Sequence, residues 1–167
     1  KMRAVATDGH RMAISEISLD KAFKTERQVI VPRKGVQEML RLLGDIDDPV
    51  ELEFGANHLR IKTSEYVFTS KLIDGRYPDY NKVIPEKQSK KLKLDREHFR
   101  ETLSRVAILS SEKYRGVRLS LSSKVLRLTA HNPEQEEAQE EIGADYSGEG
   151  MEIGFNVNYM IEAISAL

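Results

Sequence analysis

FTSKLIDGRYPDYNKVIP, residues 68–85, is the stretch from which the rest of the chain is best read. Phe68, Ser70 and Leu72 alternate with Thr69 and Lys71, the period-two pattern of a strand with one buried face. Asp74-Gly75 then turns the chain, and Tyr77-Pro78-Asp79-Tyr80 sets two aromatics around a proline of fixed φ. Val83, Ile84 and Pro85 follow as an apolar, extended exit. The prolines at 78 and 85 exclude a regular helix and hold the residue before each one extended. A segment so rich in apolar and aromatic side chains, yet unable to be a helix or a central strand, has two readings. It is a connector whose rings pack on two neighbouring domains, or it offers a binding surface.

On either side of this connector the chain repeats one design: a short strand, a break, then an amphipathic helix. In VIVPRKGVQEMLRLLG, Pro32 marks the break and Gly44 the C-terminal stop. Val36, Met39, Leu40 and Leu43 there follow the i, i+3, i+4, i+7 spacing of a buried stripe. In LKLDREHFRETLSRVAIL, Asp95 is placed to cap the helix, and Phe99, Leu103 and Val106 make the stripe. In EIGFNVNYMIEAISAL, Asn156 is the cap, and Met160, Ala163, Ile164 and Leu167 are expected to face inward. The starts lie roughly sixty residues apart, the spacing of a supersecondary repeat.

Between the helices the sequence reads as antiparallel meander. PVELEF, LRIKTS and VFTSKLI follow the first helix, turned at Gly55-Ala56-Asn57 and at Ser64-Glu65-Tyr66. GVRLSL, VLRLTAH and an acidic strand around Glu136 to Tyr146 follow the second, with a turn at Ser122-Ser123. Near the start, MRAVAT and HRMAISEI flank Asp8-Gly9, a strong hairpin signal. Strand, helix, three strands is thus the recurring element, and the fold class is α+β with helices on one face of antiparallel sheets.

The 167 residues suffice for one ordinary domain or two small ones, and 40% apolar with 32% charged residues is a globular balance. No run approaches the roughly eighteen apolar residues of a membrane span, and the first residues lack the apolar core of a signal peptide. The chain has no cysteine, which excludes disulfides, a thiol nucleophile and a cysteine-ligated zinc within it and fits a cytoplasmic location. Asp8 and His10 flank a turn and invite a catalytic-dyad reading, but Asp8-Gly9 is better explained by turn geometry and no nucleophile elbow accompanies it. His10, His58, His98 and His131 show no metal-ligand spacing, and no phosphate-loop glycine pattern is present. The glutamates at 134, 136, 137, 140 and 141 are crowded but lack the glycine punctuation of a calcium loop, and read as a solvated or partner-facing acidic strand. The chain is read as non-catalytic, with no cofactor and no metal.

A net charge of −1 does not by itself suggest nucleic acid, so a DNA surface would require charge segregated onto one face. Arg33, Lys34 and Arg41 with Gln37 make a polar stripe on the first helix, and Arg96, Arg100 and Arg105 are the basic residues of the second. Glu38, Glu97 and Glu101 dilute that charge, so the wet face of an ordinary helix stands beside a phosphate-contacting one. The third helix has no Lys or Arg.

KLIDGRYPDYNKVIP resembles the link between the second and third domains of the bacterial sliding clamp, the β subunit of DNA polymerase III. RAVATDGHRMA, VIVPRKGVQEMLRLL, AILSSEKYRGVRL, NPEQEEAQEE and EIGFNVNYMIEAISAL also look like clamp segments, in the clamp's order. Asp20 to Gln28 is the least family-like stretch. The resemblance implies a DNA-clamp fold, with helices lining a ring and antiparallel sheets outside. It makes residues 1–85 the C-terminal portion of the second domain with its connector. Residues 86–167 become the N-terminal portion of the third domain, incomplete at its end, with the join near Ile84 to Lys90.

The same resemblance implies three surfaces. A peptide-binding pocket matches Thr7, Gly9, His10, Arg11 and Met12 on the hairpin and Pro78 and Val83 in the connector. Clamps commonly carry leucine where this chain has Met12, so the pocket is expected to survive with an altered motif preference. The basic residues of the first two helices would face the duplex backbone, where weak, sequence-blind contact permits sliding. A head-to-tail interface of a homodimer ring matches Ile108 and Leu109, whose alternative is ordinary core, and the acidic side Glu134, Glu136, Glu137 and Glu140. The expected function is a processivity factor that encircles duplex DNA and tethers the replicative polymerase. Its further partners are a clamp loader and other proteins with short clamp-binding motifs, with no membrane. A peptide-binding scaffold built from the same repeats, without nucleic acid, is the alternative, and an enzyme using Asp8 and His10 comes after it.

Overall fold

In the computed structural model, which describes residues 1–19, 25–44, 47–85 and 88–167, the chain divides into two units. The first comprises Lys1–Ala4 and Ile14–Ile84, the second Val5–Ala13 and Pro85–Leu167. Residues 20–24, inside the least family-like stretch, and 86–87, inside the expected join, lie outside the described residues.

Strands β1 (Met2–Thr7) and β2 (Met12–Ile17) pair as the hairpin that Asp8-Gly9 predicts. Its stem belongs to the first unit and its tip to the second. The first unit continues with helix α1 (Arg33–Leu43) and strands β3 (Glu51–Phe54), β4 (His58–Lys62) and β5 (Val67–Lys71). The strands form an antiparallel meander in the order β3-β4-β5, with Leu52 opposite Ile61 and Ile61 opposite Phe68. Alternation along β4 buries Leu59 and Ile61, and in β5 it buries Ser70. Helix α1 meets this sheet through Gly35: a Cβ there would lie 2.6 Å from the Ser70 hydroxyl oxygen, so only glycine allows the approach as it stands.

That contact widens the packed face of α1 beyond the expected stripe and displaces half of it. Met39 and Leu43 are half-buried as the spacing predicts, but Val36 and Leu40 are exposed, Leu40 at 70%, and buried Gly35 with half-buried Glu38 and Leu42 takes their place. The helix approaches the sheet on its smallest residue, which the apolar spacing alone does not reveal. The strand expected before Pro32 reduces to a single bridge, Ile30 with Ile73. Between the prolines at 78 and 85 a four-residue 3-10 turn, Tyr80–Val83, fits where no α-helix could.

The second unit contains α2 (Arg96–Ala107), β6 (Gly116–Ser122), β7 (Val125–His131), β8 (Glu137–Gly143), β9 (Met151–Asn156) and α3 (Val157–Ser165). The four strands are antiparallel in the order β8-β7-β6-β9. Leu119 stands opposite Leu128 on one side and Ile153 on the other. Val117, Leu119, Leu121, Leu126, Leu128 and Ala130 make one apolar face, and Leu103 and Val106 of α2 and Val157 of α3 close over it. Each of these leucine and valine side chains, when fully buried, contributes about 1.5–3 kcal/mol of transfer free energy, so this face is the main core of the second unit.

Both predicted caps form. Asp95 accepts the His98 N–H at 2.8 Å, and Asn156 accepts those of Asn158 and Tyr159. In α3 the inward residues are Val157, Met160, Ile161 and Ile164, while Ala163 and Leu167, expected to face in, are exposed. The strand expected before Asp95 is only the bridge between Lys93 and Asp145. Antiparallel sheets with helices on one face give the α+β class expected from the sequence.

Candidate functional site

The hairpin tip is built by its own side chains. Asp8 Oδ1 accepts the backbone N–H groups of His10 and Arg11, each at 3.0 Å, and Thr7 Oγ1 accepts the Gly9 N–H and donates to the Arg11 carbonyl. Gly9 sits at φ +86°, in the left-handed region where a Cβ is strained. The two backbone N–H donors, joined by the Arg11 guanidinium, hold the Asp8 carboxyl below its ordinary range. It is the backbone of His10, not its ring, that Asp8 engages, so turn geometry accounts for the Asp8-His10 spacing.

Helix α3 receives this tip within the second unit. Arg11 Nη1 donates to Glu162 at 2.5 Å, its Nε donates to Asp8 at 3.1 Å, and its guanidinium carbon lies 4.6 Å from the centre of the Tyr159 ring. The His10 ring stacks on the same tyrosine, with ring centres 5.7 Å apart. Glu162 first, and Asp8 after it, raise the Arg11 pKa. Tyr159 and Glu162 were missed in the sequence, since nothing local links them to a turn 151 residues away. Thr7, Gly9, His10, Arg11 and Met12 are thereby brought together on one braced turn.

Pro78 and Val83 belong to the first unit. Pro78 is exposed, its carbonyl accepting the Tyr80 N–H at 2.8 Å, and Val83 is 68% exposed at the end of the 3-10 turn. Arg3 Nη1 donates to the Tyr80 hydroxyl at 2.9 Å, another contact that no sequence pattern announced.

The basic residues divide sharply. Arg41 holds Glu38 at 3.0 Å, Arg96 and Arg100 share Glu97, and Arg105 makes a two-pronged pair with Glu140, both contacts at 2.7 Å. Arg100 and Arg96 lower the pKa of Glu97, and Arg105 lowers that of Glu140. Arg33 and Lys34, exposed in the first turn of α1, have no carboxylate partner among the described residues.

Ile108, at the C-terminal end of α2, is 76% exposed and therefore not core, while Leu109 is half-buried. Glu134 and Glu136 lie on the β7–β8 turn, where Asn132 donates to Glu136 at 2.6 Å. Glu137 opens β8, and Glu140 within it is already engaged by Arg105.

Comparison with known proteins adds the decisive observation. A family described as the DNA polymerase III beta subunit, central domain, matches residues 1–79, and the C-terminal domain of the same subunit matches residues 81–167. The chain belongs to the DNA polymerase III beta subunit family. The beta sliding clamp of Pseudomonas putida is 49% identical over 99% of the chain, and that of Escherichia coli is 46% identical over all of it. The chain spans 45% of the length of each. The crystal structure of a sliding clamp from Pseudomonas aeruginosa bound to griselimycin superposes with a TM-score of 0.95 at 48% identity, covering 99% of this chain and 45% of that one. Membership of this family does not favour the scaffold alternative. No helix among the described residues is long and apolar enough to cross a membrane.

Proposed function

We propose that this chain is part of a DNA sliding clamp, a ring that encloses duplex DNA and tethers the replicative polymerase. The observation that carries this reading is the succession of two clamp domains along the whole chain, at 46–49% identity to beta sliding clamps. The mechanism is topological. The ring holds DNA by enclosure, and phosphate attraction without base contact leaves it free to move. In a homodimer ring, Ile108 and Leu109 supply apolar contact, and Glu134, Glu136, Glu137 and Glu140 supply charge toward the neighbouring subunit. Arg33, Lys34, Arg41, Arg96, Arg100 and Arg105 are the candidates for the DNA face.

Polymerase, clamp loader and other partners would insert a short, mostly apolar segment against Thr7, Gly9, His10, Arg11 and Met12 of the tip, and against Pro78 and Val83. A braced turn suits this role, because a surface already ordered loses little freedom on binding. A solved relative bound to griselimycin supports ligand capture by clamps of this family. The function is testable by loading the full-length protein, with a clamp loader and ATP, onto nicked circular DNA and then linearising it. Retention on the circle and loss from the linear form is the expected result, and equal retention on both would refute enclosure. The site is tested by Met12→Asp, which should abolish peptide capture, whereas retained affinity would move the site elsewhere.

A further inference from the structure

The Tyr80–Val83 turn has no fully buried residue, and Tyr80 alone is half-buried, so packing restrains it little. Its own polar contacts are local: Tyr80 N–H to the Pro78 carbonyl at 2.8 Å, Lys82 N–H to the Asp79 carbonyl at 3.3 Å, and Lys82 Nζ to the Asp79 carboxylate at 3.2 Å. Among the described residues, the long-range hydrogen bond to it comes from Arg3. Nε and Nη2 of Arg3 both reach Glu16 on the paired strand of the hairpin, which fixes the plane of the guanidinium. Nη1, on the other side of the fork, is thereby aimed at the Tyr80 hydroxyl, 2.9 Å away. Lys1 stands 3.8 Å from the same glutamate. All of these residues lie in the first unit, so the tie joins the hairpin stem to the connector within one body. Tyr80 and Glu16, in that order, raise the Arg3 pKa, and Arg3 lowers that of Glu16.

We infer that Arg3, oriented by Glu16 and acting through the Tyr80 hydroxyl, is a positioning residue that presents Val83 and Pro78 of the connector to a bound peptide. The inference rests on the proposed peptide site. Its physical basis is preorganisation: a turn tied to the hairpin stem by a long-range hydrogen bond binds more weakly when that bond is lost, because the ligand must then order it. A lysine at position 3 carries the charge but not the planar fork that holds Glu16 and Tyr80 at once.

Tyr80→Phe removes only the accepting oxygen. In the full-length protein, with griselimycin as the probe, Tyr80→Phe and Arg3→Lys should each weaken binding about three- to tenfold, the net worth of one hydrogen bond. Amide exchange at Asn81 to Ile84 should accelerate in the free protein, while amides of Leu59 and Ile61 and the thermal midpoint stay unchanged. Val83→Asp serves as the reference for the site. Unchanged affinity and exchange in Tyr80→Phe and Arg3→Lys, with binding abolished by Val83→Asp, would overturn the positioning role alone. Undiminished binding by Val83→Asp would overturn the site and the inference together.

Discussion

Changing Arg33 and Lys34 together to alanine should flatten the salt dependence of DNA association, and the size of the change follows from the ion pairs. Each phosphate neutralised by a free cation contributes about −0.9 to the slope of log affinity against log salt. Of the three basic residues expected on α1, Arg41 is spent on Glu38 at 3.0 Å, so that pair carries no net charge with which to release counterions. Arg33 and Lys34 remain, which makes the change in slope about 1.8 and the lost advantage between 50 and 200 mM salt about twelvefold. Had all three acted as free cations, the figures would be about 2.7 and fortyfold. Glu38→Gln provides the converse test, since releasing Arg41 should steepen the slope by about 0.9. The assay is fluorescence anisotropy of a labelled duplex with the full-length protein across that salt range. A slope lowered as much by Arg41→Ala alone as by the Arg33/Lys34 double variant would refute the reasoning, as would a slope unchanged in the double variant.

Asp8 gives a pH prediction with a definite sign. Its folded-state pKa lies below its unfolded value near 3.8, so its contribution to the tip is complete above that value and is lost as pH falls through the lower folded one. Amide signals of Gly9 to Met12 should therefore hold their folded positions at neutral pH and lose them only in that acid range. Asp8→Asn, which keeps an accepting oxygen, should abolish this transition; a transition persisting in that variant would assign it to another group. Leu103→Ala, at a fully buried position of α2, should destabilise the second unit by about 3–5 kcal/mol in denaturant unfolding, and a loss under about 1 kcal/mol would contradict the packing of α2 on the sheet.

The meander strands and the caps were legible in the sequence because their signals are local, whereas the short strands expected before Pro32 and Asp95 are only single bridges. Alternation in GVRLSL and VLRLTAH is read directly as one buried face, and Asp95 and Asn156 announce their helices by residue type and position. Only half of the α1 stripe was legible: Met39 and Leu43 are half-buried as their spacing predicts, but Val36 and Leu40 look like core until Gly35 is seen against Ser70. The hairpin tip shows the same division. Asp8-Gly9 predicts its turn, but the Glu162 and Tyr159 that brace it come from the far end of the chain, beyond the reach of any spacing rule. Dilution of the basic stripes was partly visible, because Glu38–Arg41 and Glu97–Arg100 are neighbours on a helix at i,i+3. Arg105–Glu140 joins a helix to a strand and leaves no such trace.

That last pair bears on how a clamp could hold DNA without gripping it. On the proposed reading Arg105 belongs to the DNA face and Glu140 to the subunit interface, yet both Glu140 oxygens already accept from Arg105 at 2.7 Å. Carboxylate oxygens retain further lone pairs, so a basic group from a neighbouring subunit can share Glu140 without displacing Arg105. Sharing weakens the hold on each cation, and interface formation would then increase the charge that Arg105 presents to phosphate. Arg105 would thus be muted in an open subunit and better exposed in a closed ring, while Arg96 and Arg100 stay paired with Glu97 in both. A part of the attraction that appears only on enclosure suits a topological tether, because a more strongly basic open subunit would bind the duplex wherever it met it.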